Sequence, residues 1–304
     1  MVRHEDFISL ADWTAGEVDG LLSLATAMKK DGAKFRGALA GKSLALIFEK
    51  PSLRTRTTFE VGIYRLGGQS IYLSPAEVGL GKRESVADVA RNLERWVHGI
   101  VARTFAHASV TGLAKWAKVP VVNALSDLLH PCQALADFLT LREHLGDLRG
   151  KRLCYVGDGN NVAHSLMEAG PKVGMDVTVV HPEGFAPSAE MLAATRAAAK
   201  AAGTKVEVAT SLDAVNGTDA VYTDVWASMG QESEAEERKR IFAPYQVNAA
   251  LMKRARPGAL FLHCLPAHRG DEVTDEVADS PASVIFDEAE NRLWTQMAVL
   301  HTLL

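Results

Sequence analysis

Long apolar runs are missing from this chain. No stretch of its 304 residues approaches eighteen consecutive apolar side chains, so no transmembrane helix is expected. Cysteine is scarce. The three present, Cys132, Cys154 and Cys264, form no CxxC pair and leave one odd. The start, Met1-Val2-Arg3-His4-Glu5-Asp6, lacks the basic-then-apolar order of a secretory signal. Reduced thiols in a cytoplasm are the reading that follows. Basic excess is absent too. Lys and Arg number 33 against 37 Asp and Glu, a formal net charge of -4, which argues against a broad nucleic-acid surface. Low-complexity segments and long blocks of like charge are also lacking, so no interaction tail is expected.

Hydrophobic residues make up 47% of the chain, which is long enough for two ordinary domains. Short apolar runs alternate with helical patterns. Candidate strands are 43–48, 70–73, 99–104 and 120–123, then 152–156, 176–180, 205–208, 219–223, 259–262 and 283–286. Many are rich in Val, Ile, Leu or Tyr, as strands buried on both faces should be. Helix-length segments at 53–66, 85–98, 132–145, 188–202 and 246–256 lie between them. This alternation predicts an α/β chain of two domains, each a parallel β-sheet flanked by helices. "GKSLALIF" from Gly41 and "GKRLCYVG" from Gly150 echo one another, each a polar turn leading into a strand. The expected division is 1–145, 146–286 and a C-terminal helix, 287–304, that packs back on the first domain.

The stretch "FEKPSLRTRTTFE", Phe48–Glu60, follows the first strand. Pro51 favours a turn and Ser52 is suited to cap a helix. Ser52, Arg54 and Thr55 then share a first turn, where free N–H groups and the positive dipole end gather. A guanidinium and two hydroxyls at that place suit a phosphate. A plain capped helix with solvated arginines is the other reading. Arg56 stands four residues before Glu60, the spacing of an intrahelical ion pair. "GALAGKS", Gly37–Ser43, has three residues between its glycines and leads into a strand, so it does not make a P-loop. "GDGNN", Gly157–Asn161, lacks the third glycine of a dinucleotide turn, and the next strand ends at His181 instead of an acid.

In "HPCQALAD", His130 is expected at the end of a strand and Gln133 at the start of a helix. Together they can polarise a carbonyl and hold an amide. Arg103 ends another strand. Ligands of open parallel sheets bind beyond those carboxyl ends. The second sheet offers Asn160 and Asn161, then Asp224 with Ser228-Met229-Gly230, then "HCLPAHRG", His263–Gly270. Asparagines, a carboxylate and backbone groups suit an amino-acid head group; ordinary loop polarity is the alternative for each. His263, Cys264 and His268 do not have a zinc spacing. Cys264 as a nucleophile lacks one marked base, and a non-covalent role is preferred.

Taken together, "FEKPSLRTR", "HPCQALAD", "DVWASMGQE" and "HCLPAHRG" resemble the ornithine carbamoyltransferase family in order and separation, and "GDGNN" and "AENRLWTQMAV" match as well. The resemblance spans nearly the whole chain. It implies carbamoyl phosphate on the first domain, ornithine on the second, and trimers with sites at subunit interfaces. By that analogy Ser52, the Leu53 backbone, Arg54 and Thr55 hold the phosphate. Arg103 bridges phosphate and carbonyl oxygen, His130 and Thr55 polarise the carbonyl, and Gln133 orients the carbamoyl amide. Asn161, Asp224, Ser228 and Met229 are the ornithine set. Cys264 and Leu265 lie beside the reacting centre, and Arg292 completes the anion site.

Two departures stand out. Leu53 replaces the family's commoner Thr, which keeps a backbone contact and loses a hydroxyl. Gly79 in "EVGLGKRES" stands where many members have a Gln that reaches a neighbouring subunit's phosphate; Lys82 and Arg83 are the cations near it. The resemblance requires no metal or organic cofactor, because carbamoyl phosphate is already activated. Its chemistry is attack of the ornithine amine on the carbamoyl carbon with loss of phosphate, with Asp224 and Cys264 as the groups for handling the amine proton. The rival readings are another acceptor (putrescine, aspartate or an N-acylated ornithine), a nucleotide-dependent dehydrogenase, and a non-catalytic binding protein.

Overall fold

The computed structural model describes residues 5–227 and 234–304, so the expected site residues Ser228 and Met229 lie outside the described residues. The chain splits into two compact units, Met1–Leu139 with Glu290–Leu304, and Thr140–Ala289. The sheet of the first unit contains β1 (Ser43–Phe48), β2 (Gln69–Leu73), β3 (Gly99–Arg103) and β4 (Val121–Leu125), all parallel in the order β2-β1-β3-β4. Every residue of β1 and β3 is buried, which is why SLALIF and GIVAR run apolar without alternating. The sheet of the second unit has β5 (Arg152–Val156), β6 (Asp176–Val180), β7 (Val206–Ala209), β8 (Ala220–Thr223) and β9 (Leu260–His263), also parallel, in the order β7-β6-β5-β8-β9.

Each order reverses direction once. The chain leaves β1 for β2 on one side and returns to β3 on the other; it leaves β5 for β6 and returns to β8. Diverging connections open a crevice at such a switch point, beyond the strands' carboxyl ends. The crevice of the first sheet therefore falls after Phe48 and Arg103, which are register partners. That of the second falls after Val156 and Thr223, also partners.

The part of the last helix, Ile285–Leu303, that belongs to the first unit packs against the helix Leu53–Arg65. A Cβ at Gly62 would meet Met297 Cγ at 3.1 Å, so glycine permits the close approach. Lys29 adds an ion pair to Glu290 at 3.3 Å and a hydrogen bond to Asn291 at 2.9 Å. These contacts carry Arg292 to the first sheet's crevice. Among the described residues, no helix is long and apolar enough to cross a membrane.

Some expectations need correction. The segment 283–286 is not a strand: Ser283 makes one isolated bridge to Phe261, and Ile285 already opens the last helix. His130 does not end a strand. β4 stops at Leu125, and His130 directly precedes the helix Pro131–Leu145, its carbonyl accepting from the Gln133 and Ala134 N–H groups. Only Ala249–Met252 is α-helical within 246–256, and Val86–Leu93 within 85–98. The helix Ala15–Lys30 adds to the expected elements, and Thr14 and Glu17 form a capping box that opens it.

Candidate active site

The first crevice is built on a helix start. Ser52 caps Leu53–Arg65, its hydroxyl accepting from the Thr55 N–H at 3.2 Å. This fixes the first turn, and Arg54 and Thr55 with it. Leu53, at the first helical position, is 76% exposed, so nothing in the core demands its side chain. Thr55 is buried, and its hydroxyl accepts from Arg292 Nη2 at 3.0 Å and faces Arg103 Nη1 at 3.5 Å. Arg292 Nη1 also donates to Gln133 Oε1, and Gln133 Nε2 donates to Asp137 at 2.7 Å. Ser52, Arg54, Thr55, Arg103, His130, Gln133 and Arg292 are thus brought to one crevice.

His130 is buried among them. Its pKa is held well below the ordinary 6.5, first by burial, then by the Arg292, Arg103 and Arg54 guanidiniums. The imidazole is therefore neutral at neutral pH, and three fixed positive charges surround it. Such a cluster is an electrostatic site for a multivalent anion. It also has a stability consequence. A histidine with a depressed folded pKa takes up its proton more readily when unfolded, so it withdraws stability as pH falls below about 6.5. His107, lowered chiefly by its own burial, acts in the same direction. Thermal melts should show Tm dropping between pH 7.5 and 5.5, with a shallower drop in His130→Asn. An equal slope in the variant would contradict this assignment.

Arg56 is used structurally. It pairs with Glu60 at 2.9 Å, as its spacing predicts, and its guanidinium stacks 3.5 Å from the centre of the Tyr72 ring. Gly79 ends the short helix Pro75–Val78 at φ +55°, and a Cβ there would come within 2.8 Å of Arg83 Cβ. A side chain at that place is therefore strained. Arg83 Nη1 donates to the Glu77 carbonyl at 2.9 Å.

The second crevice centres on Asp224, which follows β8. Its Oδ1 accepts from the Cys264 thiol at 3.0 Å and from the Val225 N–H at 2.8 Å; its Oδ2 accepts from Asn160 Nδ2 at 2.8 Å. Asn160 uses its other end on the fold: Oδ1 accepts from Val162 and Ala163 N–H groups, capping the helix Asn161–Val173, and from the Tyr155 hydroxyl at 3.2 Å. Asn161 opens that helix beside it. A Cβ at Gly159 would fall 2.1 Å from the Pro187 nitrogen, so the turn that presents both asparagines depends on glycine.

Behind Cys264, His263 is fully buried, and both ring nitrogens are engaged. Nδ1 accepts from the Leu265 N–H at 2.8 Å, so Nε2 carries the proton toward Glu272 at 3.1 Å. Glu288 accepts from the His263 N–H at 3.0 Å and from the Tyr222 hydroxyl at 3.2 Å. Leu265 sits at φ +57°, a region leucine seldom adopts, held by its bond to His263. Asp224, His263 and Cys264 put one ligand atom each within 4.8 Å of one another. The hydrogen bonds just described already use those atoms, so a metal there would have to displace the contacts that aim Asp224 and Cys264.

Several supporting residues were not anticipated. Asp137 is one of them; Glu272 and Glu288 reach residues of other elements, where helical spacing carries no signal. Arg238 is another. It joins Asp158 at 2.8 Å, the Trp226 carbonyl at 2.9 Å and Glu234 at 3.2 Å, fastening the exits of β5 and β8 together. Asp137, one helical turn beyond Gln133, and Arg238, four residues after Glu234, had a local cue.

Comparison with known proteins matches both units. Residues 5–143 match the family model described as aspartate/ornithine carbamoyltransferase, carbamoyl-P binding domain, and 149–303 match its Asp/Orn binding domain. An ornithine carbamoyltransferase of Thermococcus kodakarensis is 54% identical over 97% of this chain and 95% of its own. The anabolic ornithine carbamoyltransferase of Pyrococcus furiosus is 52% identical over 97% and 95%. A solved structure of ornithine carbamoyltransferase from Pyrococcus furiosus superposes with TM-score 0.94 at 51% identity, covering 97% of this chain and 96% of the other. Two switch-point crevices, one ringed by arginines and one built on a carboxylate and asparagines, thus occur on a chain matched along nearly its whole length, and the chain belongs to the aspartate/ornithine carbamoyltransferase family.

Proposed function

We infer that the chain transfers the carbamoyl group of carbamoyl phosphate to the side-chain amine of L-ornithine, giving L-citrulline and phosphate in arginine biosynthesis. One observation carries the reading: three guanidiniums meet at a helix N-terminus around a histidine kept neutral. A phosphate with an adjoining carbonyl suits that arrangement. The phosphate lies on the Leu53 N–H, the Ser52 and Thr55 hydroxyls and Arg54. Arg103 and Arg292 neutralise it as it leaves. His130, Arg103 and Thr55 stabilise the oxyanion as the amine attacks. A neutral imidazole is needed for this, because it can donate to the carbonyl oxygen without adding a fourth charge at rest.

On the second unit, Asn161 and Asp224 hold the acceptor amino acid, joined by Ser228 and Met229. Cys264 and Leu265 lie at the reacting end. A side-chain amine with pKa near 10.4 is only about one part in a thousand neutral at pH 7, a penalty of about 4–5 kcal/mol. Asp224, with the Cys264 thiol on the same oxygen, is the group placed to take that proton. The names of the similar proteins support ornithine over other acceptors. We further assign the chain to the cytoplasm and to a homotrimer. Exposed Leu53, Ile71 and Phe105 on the first unit fit burial against a second copy.

The test compares acceptors at saturating carbamoyl phosphate. Citrulline should form from ornithine at least a hundredfold faster, as kcat/KM, than product forms from putrescine, aspartate or N-acetylornithine. Preference for any of those three would overturn the acceptor assignment while leaving the phosphate half intact.

A further inference from the structure

Gln133 is held between ions of opposite sign. Its Nε2 donates to Asp137 Oδ1 at 2.7 Å, and its Oε1 accepts from Arg292 Nη1. Asp137, Gln133 and Arg292 are all buried. A guanidinium can only donate and a carboxylate can only accept. The amide's orientation therefore follows from charge: nitrogen toward Asp137, oxygen toward Arg292. Turning it over would set N–H against N–H and oxygen against oxygen. Asp137 lies one turn beyond Gln133 on Pro131–Leu145, so the helix itself supplies the spacing. Arg292 also donates to the Thr55 hydroxyl at 3.0 Å, which ties the oriented oxygen to the phosphate-binding turn.

Any further group that hydrogen-bonds to Gln133 Oε1 must be a donor. We propose that Asp137 is a positioning residue that fixes Gln133 as an acceptor, and so makes the first crevice select an acyl phosphate bearing an amino group over one bearing a methyl group. This rests on the carbamoyl phosphate reading above and deepens it. Carbamoyl phosphate and acetyl phosphate have nearly the same shape and the same phosphate; they differ in NH2 against CH3. The arginines and the helix start grip the part they share. The oriented amide reads the part they do not.

The experiment measures KM for carbamoyl phosphate, and competitive Ki values for acetyl phosphate and inorganic phosphate, at fixed ornithine. The proteins are the wild type, Asp137→Leu, Gln133→Met and the double variant; leucine is close to aspartate in size and removes the acceptor that holds Gln133 Nε2. The wild type should favour carbamoyl over acetyl phosphate by about a hundredfold or more. Asp137→Leu should shrink that ratio by about tenfold, with the Ki for inorganic phosphate within about twofold of wild type. Gln133→Met should shrink it at least as far, and adding Asp137→Leu to it should change the ratio no further. A merely structural Asp137 would weaken all three ligands together, and that result overturns the proposal. So does an unchanged ratio. If Asp137→Leu does not fold, Asp137→Ala gives the same ratio test. A wild type that does not use carbamoyl phosphate defeats the functional reading itself; a selective wild type with an equally selective Asp137→Leu defeats only this inference.

Discussion

Arg54→Ala is expected to lower kcat/KM for carbamoyl phosphate by about a thousandfold, the effect of removing one charge-assisted donor from a preorganised anion site. The fold should tolerate the change. Arg54 is partly exposed in the first turn of its helix, and neither the Ser52 cap nor the Thr55 contacts depend on its side chain. Loss of activity with an unchanged melting temperature would separate chemistry from stability. The variant should also relax His130. One of the three guanidiniums that depress the imidazole is gone, so its pKa moves up toward 6.5, a shift measurable by NMR of the ring protons. Near-normal kcat/KM in Arg54→Ala would leave the helix start as a plain cap and remove the basis for a phosphate there.

Asp224→Asn should lower kcat/KM for ornithine by about a thousandfold while leaving KM for carbamoyl phosphate within about threefold. The reason is visible in its partners. The carboxylate accepts from Cys264 and Val225 at one oxygen and from Asn160 at the other. An amide must turn its NH2 toward one of those donors, so one contact becomes a donor facing a donor, and the negative charge beside the ammonium is lost. In the wild type, kcat/KM for ornithine should rise about tenfold per pH unit over pH 6–8, following the neutral fraction of the amine, before levelling. His130 adds no limb in that range, since burial and the surrounding guanidiniums hold its pKa well below 6.5. A flat profile from pH 6 to 9 would contradict a requirement for amine deprotonation. An Asp224→Asn variant that loses both substrates equally would make Asp224 a structural residue.

Much of the frame was readable because it is local. Strands β1 and β5 fall where their apolar runs lie, since a strand buried on both faces announces itself by composition. The Ser52 cap and the Arg56–Glu60 pair follow from spacing along one helix. Misreadings arose where one sequence fits two structures. Ser283–Phe286 is apolar and β-branched, and a short run of that kind does not distinguish a buried strand from the start of a buried helix. Its continuation into Leu293, Met297 and Leu300 resolves the ambiguity in favour of the helix. His130 lies off the strand because the four residues between Leu125 and His130 form their own turn, closed by Ser126 and Leu129.

The parts that were not readable are those that hold the reactive groups in place. The link between Tyr222 and Glu288 spans 66 positions, and that between Arg238 and Asp158 spans 80. No periodicity reports contacts of that range. Asn160 shows the limit most clearly. Adjacent asparagines look interchangeable in "GDGNN", yet Asn160 caps a helix and bonds Asp224, while Asn161 is the first residue of that helix.

The most direct measurement is citrulline formation by the purified chain from carbamoyl phosphate and ornithine, with phosphate release followed in parallel. The account predicts one citrulline per phosphate above the rate of spontaneous carbamoyl phosphate breakdown, abolished in Arg54→Ala and in Asp224→Asn. Phosphate released without citrulline, or citrulline formed equally well by both variants, would contradict it.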